Sequence, residues 1–547
     1  MIMKKYLLHI GCVITLAITM SGCKKQLEEY YTNPDKTTNP TIEKLFSSMM
    51  DNNRVRPQYW DLRTLQLNQM GKYCQSTAFV NAVDAYSQND SYIQDRWNDF
   101  YTPNNTSTNA NNDQSGSGPI AQYRTMQRLF RELPIDERPN MEVFMMAGRV
   151  LLLDQAAQMV DMFGDIPYSE AGSLDLSATI SNPKFDSQVE VYDTVLTQLK
   201  EMADWFAAAT LNTVATSAFT NQDFVNHGSL SKWRRYINSL RLRYLMRQSF
   251  VNEDRAKSEI QEILANPLQY PLVDGDGVGD NYSPYNTDVL IFPLTNYTNN
   301  LSNAFTEIHA HAAPDYMLNT VMLPVNDPRI PMMFDKWGNT VNKVFYPNAQ
   351  FRAMSQQWTE TEQNDSINYF STIDSTTYRF NSHLPGIMMS AAETNFLKAE
   401  AFERWGLSGG TAAASYNLAV RQAVALAYYL HATNTTQYES LTQPSTADVD
   451  AFMAKAAIAY TGTSQEKLGK IWTQKWLAYG FTQCGQAWAE YRRTKYPQIT
   501  IWQATDGIYV LPPTRFTYPG SEKGYNTSYK DVQSKDTRDT KIFWDVK

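Results

Sequence analysis

The strongest constraint on this fold is a series of helical stretches that run out and double back. After Pro139-Asn140, Val150, Leu153, Ala157 and Val160 recur at three and four residues, the period of one helix face. Gly and Pro end that helix within Phe163-Gly164-Asp165-Ile166-Pro167-Tyr168. Tyr192, Val195, Leu199, Met202 and Phe206 stripe a second helix. Leu230, Trp233, Ile237, Leu240 and Tyr244 stripe a third, whose other face carries Arg234, Arg241 and Arg247. A shorter helix spans 254–264. From Glu393 on, Phe396, Leu397, Ala401 and Trp405 form a face, Gly409-Gly410 turns the chain, and Tyr416, Val420, Val424 and Ala427 return. Thr463 and Glu466 have the spacing of a capping box. Leu468, Trp472, Trp476 and Tyr479 follow on one face, then Ala487, Trp488 and Tyr491 after Gly485. Antiparallel helices with short turns, and with Ala and large aromatics at the contacts, pack as tetratricopeptide-type units. A strict repeat of about 34 residues is absent. The expectation is a mainly α fold of degenerate helical pairs in a right-handed array.

Two other parts of the chain lack this period. Residues 266–383 are rich in Pro, Gly, Asn and aromatics. They read as long loops with a few short strands, packed against the helices, with one helical run over 304–321. Residues 102–118 are mostly Asn, Thr, Ser and Gly, a loop of unusual length for a compact domain. Ile42, Leu45, Phe46 and Met49 open a helical pattern over 41–70, and the tail from 511 on reads as coil. The division expected is a signal at 1–22, a tether at 23–41, and one domain over 42–547 with its irregular insert at about 266–383.

The N-terminus says where the chain goes. Lys4 and Lys5 precede an apolar run from Tyr6 to Thr19, too short to span a bilayer as a helix. Small residues then lead into a cysteine in Ile18-Thr19-Met20-Ser21-Gly22-Cys23. This resembles a bacterial lipobox, which implies cleavage before Cys23 and a diacylglycerol on its sulfur. Cys12 leaves with the signal, so Cys74 and Cys484 remain, either as a disulfide or as two buried thiols. A formal charge of −8, with no basic run, excludes a nucleic-acid binder. The body behind the anchor is 43% hydrophobic over the whole chain, enough for a large core.

Catalytic signatures are missing. There is no nucleophile elbow, no His-Glu-x-x-His and no phosphate loop. Ser115-Gly116-Ser117-Gly118 reads as loop. His309 and His311 are two apart and point different ways on a helix, so no metal site is expected. Asp274, Asp276 and Asp280 are spaced like part of a calcium loop, but Tyr285 stands where the bidentate Glu belongs. A solvated turn and a calcium loop both stay open, and no cofactor is expected. The chemistry on offer is binding. Sugar rings lie flat on Trp and Tyr, and their hydroxyls need amides or carboxylates at the edge. Tyr282, Tyr285, Tyr297, Asn299, Trp337 and Trp358 supply both from the insert, and Tyr73, Tyr86 and Tyr92 add rings from the early segment. Trp472, Trp476 and Trp488 sit at helical spacing and are assigned to the core.

Several ordered motifs carry a family resemblance. They are Gly164-Asp165-Ile166-Pro167-Tyr168, Asn238-Ser239-Leu240-Arg241-Leu242-Arg243, Asp327-Pro328-Arg329, Glu393-Thr394-Asn395-Phe396-Leu397-Lys398-Ala399-Glu400-Ala401, and Arg515-Phe516-Thr517-Tyr518-Pro519 with Glu522. Together the chain resembles SusD/RagB-type outer-membrane lipoproteins, most closely the SusD-like branch. The resemblance implies about four tetratricopeptide-like pairs and a cell-surface lipoprotein on the outer membrane. It implies capture of a nutrient, an oligosaccharide or in RagB-type members a peptide. It implies delivery to a SusC-like TonB-dependent barrel, with ligand contacts from the early segment and the insert. Asn238, Arg241 and Arg243 are expected to satisfy buried polar groups. An exported glycosidase on the same scaffold is the competing reading, which no sequence feature favours.

Overall fold

The computed structural model describes residues 40–52, 54–55, 59–102, 118–173, 182–275, 282–293, 301–306, 311–435, 441–504 and 509–547. Cys23, the tether up to residue 39, most of the 102–118 loop, Asp276, Asp280, Tyr297, Asn299 and His309 lie outside these residues.

Helices dominate, and they pair as the periodicity requires. α1 (Ile42–Met50), α2 (Asp90–Tyr101), α3 (Pro119–Glu132) and α4 (Arg138–Phe163) build the first half. They are joined by α5 (Gln188–Ala208), α6 (Thr213–Gln222), α7 (Leu230–Arg247) and α8 (Glu253–Ala265). The second half holds α9 (Ala391–Trp405), α10 (Ala412–Ala432), α11 (Thr446–Met453), α12 (Ser464–Tyr479) and α13 (Cys484–Thr494). α3 packs on α4, α5 on α7, α9 on α10 and α12 on α13, giving four tetratricopeptide-like pairs. Gly164 ends α4 with φ +78, a conformation that costs other residues strain. The capping box at Thr463 and Glu466 forms as expected, and a second one opens α5 at Ser187 and Glu190.

Two helical runs differ from the sequence reading. The pattern over 41–70 is not one helix. α1 stops at Met50, and a π-helix runs from Leu62 to Gly71. Between them Arg54 turns inward, its Nη1 2.9 Å from Asp61 Oδ1 and its Nε 2.8 Å from Asp99 Oδ2. Two charge-assisted bonds outweigh continuation of the helix, and Pro57 could not have donated to it. The run over 304–321 is likewise divided, into Leu301–Thr306 and a π-helix at Tyr316–Met322.

Among the described residues, the insert and the segment just after it form three two-stranded antiparallel sheets. β1 (Val289–Ile291) pairs with β6 (Gly386–Met389), β2 (Phe334–Asp335) with β5 (Thr372–Ile373), and β3 (Gly338–Val341) with β4 (Val344–Pro347). The β3–β4 turn places both Asn342 and Lys343 at positive φ, the geometry of a type I′ hairpin. β6 leads directly into Ser390, whose hydroxyl caps α9.

The family-like motifs prove to be ties between elements. Arg243 on α7 reaches Glu393 on α9 through Nε and Nη2, each at 2.7 Å. Arg247 Nη1 lies 2.9 Å from Asp161 Oδ2 on α4. Arg329 holds Asp327 and donates to Gln474 Oε1 on α12 at 2.7 Å. Asn238 Nδ2 donates to the Pro271 carbonyl, and the Tyr518 hydroxyl to that of Asp165. Glu522 accepts the indole N–H of Trp97. All three arginines are buried, and buried guanidinium groups persist only when paired.

Inside the insert two carboxyl groups face each other. Asp335, at the end of β2, accepts from Ser375 N at 2.9 Å, and Asp374 follows β5. His431 Nδ1 lies 3.6 Å from Asp374 Oδ1. Burial, then the charge of Asp374, pushes the Asp335 pKa up to about 7. A carboxyl raised in this way binds its proton more tightly folded than unfolded. Its contribution is complete below about pH 4, the unfolded value, and is lost as pH rises towards 7. Asp335→Asn should therefore gain on the wild type between pH 4 and pH 8, by about 1–3 kcal/mol. Chemical denaturation at both pH values measures the gain, and a constant difference would contradict it.

Candidate functional site

The candidate site is a surface groove of about 410 Å³ where the insert meets the last helical pair. One wall is the Tyr316–Met322 π-helix with Pro324, and the other is α12 with Tyr496 and Gln498. Tyr496 can lie against α12 because residue 469 is glycine. A Cβ there would sit 2.9 Å from Tyr496 Cε1, closer than side chains tolerate. The Tyr496 ring also packs on Trp472, with centroids 5.2 Å apart. Its hydroxyl accepts from Gln465 Nε2 at 3.2 Å and Gln498 Nε2 at 3.4 Å. Tyr316, half-buried, stands 6.3 Å from Trp476 in a T-shaped contact, and burial raises its pKa. Thr320, Thr473 and Gln474 add hydroxyls and an amide beside the two phenol rings, and Val321, Pro324, Val325, Ala457 and Ile458 make much of the remaining lining apolar. Lys470 is locked by three carbonyls, those of Ala456, Ala459 and Thr461.

At the Tyr316 and Gln498 end, three distant segments are pinned together. Asp315 Oδ2 accepts from Gln356 N at 2.8 Å, and Asn319 exchanges bonds with both backbone groups of Ala353. Asn81, from the early segment, donates to the carbonyls of Gln356 and Trp358 at 2.8 and 2.6 Å. The Thr500 carbonyl accepts from Gln75 and Gln357. The early segment and the insert thus meet beside the groove, with the half-buried Trp358 ring against Phe370. Such a surface can stack an apolar ring face and hydrogen-bond its edge.

The individual rings fare unevenly. Tyr73 and Tyr86 are corrections, since each is 1% exposed and neither has a face left for a ligand. Tyr73 packs on Trp488 and Phe516, and its hydroxyl donates to Gln69. Tyr86 packs on Phe79 and Trp502 and donates to the Trp502 carbonyl. Tyr92 is half-buried with its hydroxyl bound by Arg63 Nη1. Trp337, at positive φ, packs on Phe345 of the hairpin, and Tyr285 is 55% exposed beside Phe292. Tyr282 lines a different groove, of about 520 Å³, along α10. Its hydroxyl is committed to Asp288 Oδ2 at 2.7 Å. Burial lifts the Asp288 pKa to about 7 against the Tyr282 and Ala391 donors. None of these four lines the Tyr316–Tyr496 groove.

Tyr316 and Tyr496 were not among the rings chosen from sequence. The one local signal for Tyr496 is Gly469 within the α12 pattern, since a lone glycine in a helix usually answers a close approach. Asp274, from the possible calcium loop, pairs its Oδ2 with Lys398 Nζ at 2.6 Å. Among the described residues no group of three His, Cys, Asp or Glu is placed to hold a metal. Cys74 and Cys484 are free buried thiols, each pushed up in pKa by burial.

Comparison with solved structures finds the same fold. A protein titled chitin-binding superposes with a TM-score of 0.70 at 22% identity, covering 93% of this chain and 100% of that one. A SusD homolog from Bacteroides uniformis gives 0.68 at 19%, with 93% and 100% covered. A chitin-binding SusD homolog from Flavobacterium johnsoniae gives 0.66 at 21%, with 92% and 98% covered. A comparison with curated sequences finds no match. The profile of the SusD-like family, described as SusD and RagB outer membrane lipoproteins, matches residues 24–545, and this chain belongs to that family.

Proposed function

We propose that this protein captures an oligosaccharide on the Tyr316–Tyr496 groove and hands it to a SusC-like TonB-dependent barrel in the outer membrane. The observation that carries the reading is the groove itself: two phenol rings among amides, hydroxyls and apolar side chains, beside the junction of the early segment and the insert. That is the residue chemistry a sugar ring selects. The family membership and the two chitin-binding titles support it, and make β-linked N-acetylglucosamine oligomers the first ligands to try. Cleavage before Cys23 and acylation of its sulfur would leave the body on a short tether beside its barrel. Acyl anchoring strengthens by about 0.8 kcal/mol per buried methylene.

A glycan and peptide array probed with residues 40–547 tests the ligand class. Binding to glycans with no new reducing ends supports capture without hydrolysis. Binding confined to peptides, or release of reducing ends, overturns it. Purification of the full lipoprotein in mild detergent should bring down a barrel in near-equal amount. Repeated recovery of this chain alone would remove the delivery half of the proposal.

A further inference from the structure

The Tyr316–Tyr496 groove contains an amide whose orientation is forced. Arg329 grips Asp327 through Nε and Nη2, at 2.9 and 2.6 Å, and the same Nη2 reaches Gln474 Oε1 on α12 at 2.7 Å. A guanidinium can only donate, so the end of the amide that faces Arg329 is its oxygen. Gln474 is 3% exposed and lines the groove, and Nε2 is the end it has left to offer there. Arg329 and Asp327 are buried as well. Turning the amide over would set two donors face to face in a dry interior, which is costly. The groove thus presents a fixed N–H donor.

The rest of the lining narrows what that donor can meet. Val325, which shortly precedes Asp327 in the chain, and Ile458 belong to one buried cluster and both line the groove. The charged side chains of the lining are engaged within the protein. Lys470 is held by its three carbonyls, and Glu466 accepts from the N–H and hydroxyl of Thr463 at 2.7 and 2.9 Å. The group that suits this lining is neutral, accepts a hydrogen bond through oxygen, and carries an apolar atom beside that oxygen.

A bare sugar hydroxyl meets the first two conditions and leaves the apolar wall in water. An acetamido group meets all three, through its carbonyl oxygen and its methyl. We infer that Gln474 is the residue that selects an N-acetylated sugar in this groove, its Nε2 donating to the acetamido carbonyl while the methyl lies on the apolar wall. The inference rests on the glycan reading of the groove and adds to it the substituent that is read.

Three trimers of the same β linkage are the probes: N-acetylglucosamine, glucose and glucosamine. Calorimetry on the full lipoprotein in mild detergent should give the acetylated trimer about 10- to 50-fold the affinity of the glucose trimer, the gain of one hydrogen bond and one buried methyl. Gln474→Glu keeps an oxygen on Arg329 and puts a second oxygen where the N–H was. It should abolish that preference and move it to the glucosamine trimer, whose ammonium a carboxylate attracts. Gln474→Met removes the donor without adding a charge and should lower the same ratio, which keeps the test decisive should Gln474→Glu fail to fold.

Equal wild-type affinity for the acetylated and glucose trimers, or a preference that the Gln474 variants keep, overturns the inference. When Tyr496→Ala still weakens every trimer in that case, the capture reading stands without it. A wild type that binds none of the three also overturns the inference, and the glycan array then decides the capture reading by itself. Binding that Tyr496→Ala does not weaken overturns both, because it places the sugar outside the groove.

Discussion

Arg493→Met should lower the unfolding free energy by about 3–5 kcal/mol, as expected when one member of a buried ion cluster is removed. Arg493, on α13, sends Nη1 and Nη2 to the two oxygens of Glu400 on α9, at 2.8 and 2.6 Å. Its Nη2 also donates to Glu490 Oε2 at 2.8 Å. Lys475 on α12 lies 2.6 Å from Glu490 Oε2 and 3.5 Å from Glu400 Oε2. Burial alone would raise the Glu400 pKa, but the charges of Arg493 and Lys475 outweigh it and bring it down to about 2. Arg247 Nε lies 3.1 Å from Glu490 Oε1 and Arg404 Nη1 3.3 Å from Glu400 Oε1, so removing Arg493 strips Glu400 of its two-pronged partner in a dry interior while Lys475, Arg247 and Arg404 stay in place. A carboxylate depressed in this way contributes its stability above the unfolded value of about 4.3, and loses it as pH falls towards 2. Urea unfolding followed by tryptophan fluorescence, at pH 7 and pH 3, reads both effects. A loss under about 1 kcal/mol at pH 7 would show that the cluster is solvated.

Tyr496→Ala and Tyr316→Ala should each weaken glycan binding by about 1–3 kcal/mol, the scale of a lost aromatic stack in nucleic-acid sites. That is roughly 5- to 150-fold in affinity. Trp358→Ala, at the junction, should weaken binding as well. Gly469→Ala tests the groove without deleting a ring, since its new methyl displaces Tyr496. Trp337→Ala separates two faces of the insert. It leaves affinity unchanged when ligand lies in the groove and lowers it when ligand lies on the β3–β4 hairpin. Calorimetry gives the affinities, and melting curves show which variants remain folded.

The helices were legible because their information is local. Period, capping boxes and Gly164 mark where α4, α5, α7, α9, α10 and α12 begin or end, whatever they pack against. The motif residues were legible as a pattern, while their partners were not. Nothing near Arg243 names Glu393, and nothing near Arg493 names Glu400. The site was the least legible part. Tyr73 and Tyr86 sit in a segment without helical period, as an exposed aromatic would, yet distant chain covers them: Trp488 and Phe516 over the first, Trp502 over the second. Tyr316 and Tyr496 come from segments far apart in sequence and meet only because Asp315, Asn319 and Gly469 hold their backbones in place. The break after α1 follows the same rule, since Arg54 leaves the helix for Asp61 and Asp99.

A crystal structure of residues 40–547 with the tightest-binding glycan from the array tests the central claim most directly. The account predicts one sugar ring over Tyr496 or Tyr316, its hydroxyls within hydrogen-bond reach of Gln498, Thr320 or Thr473. Glycan density on the Trp337 hairpin, or along α10 beside Tyr282, with the Tyr316–Tyr496 groove empty, would contradict it.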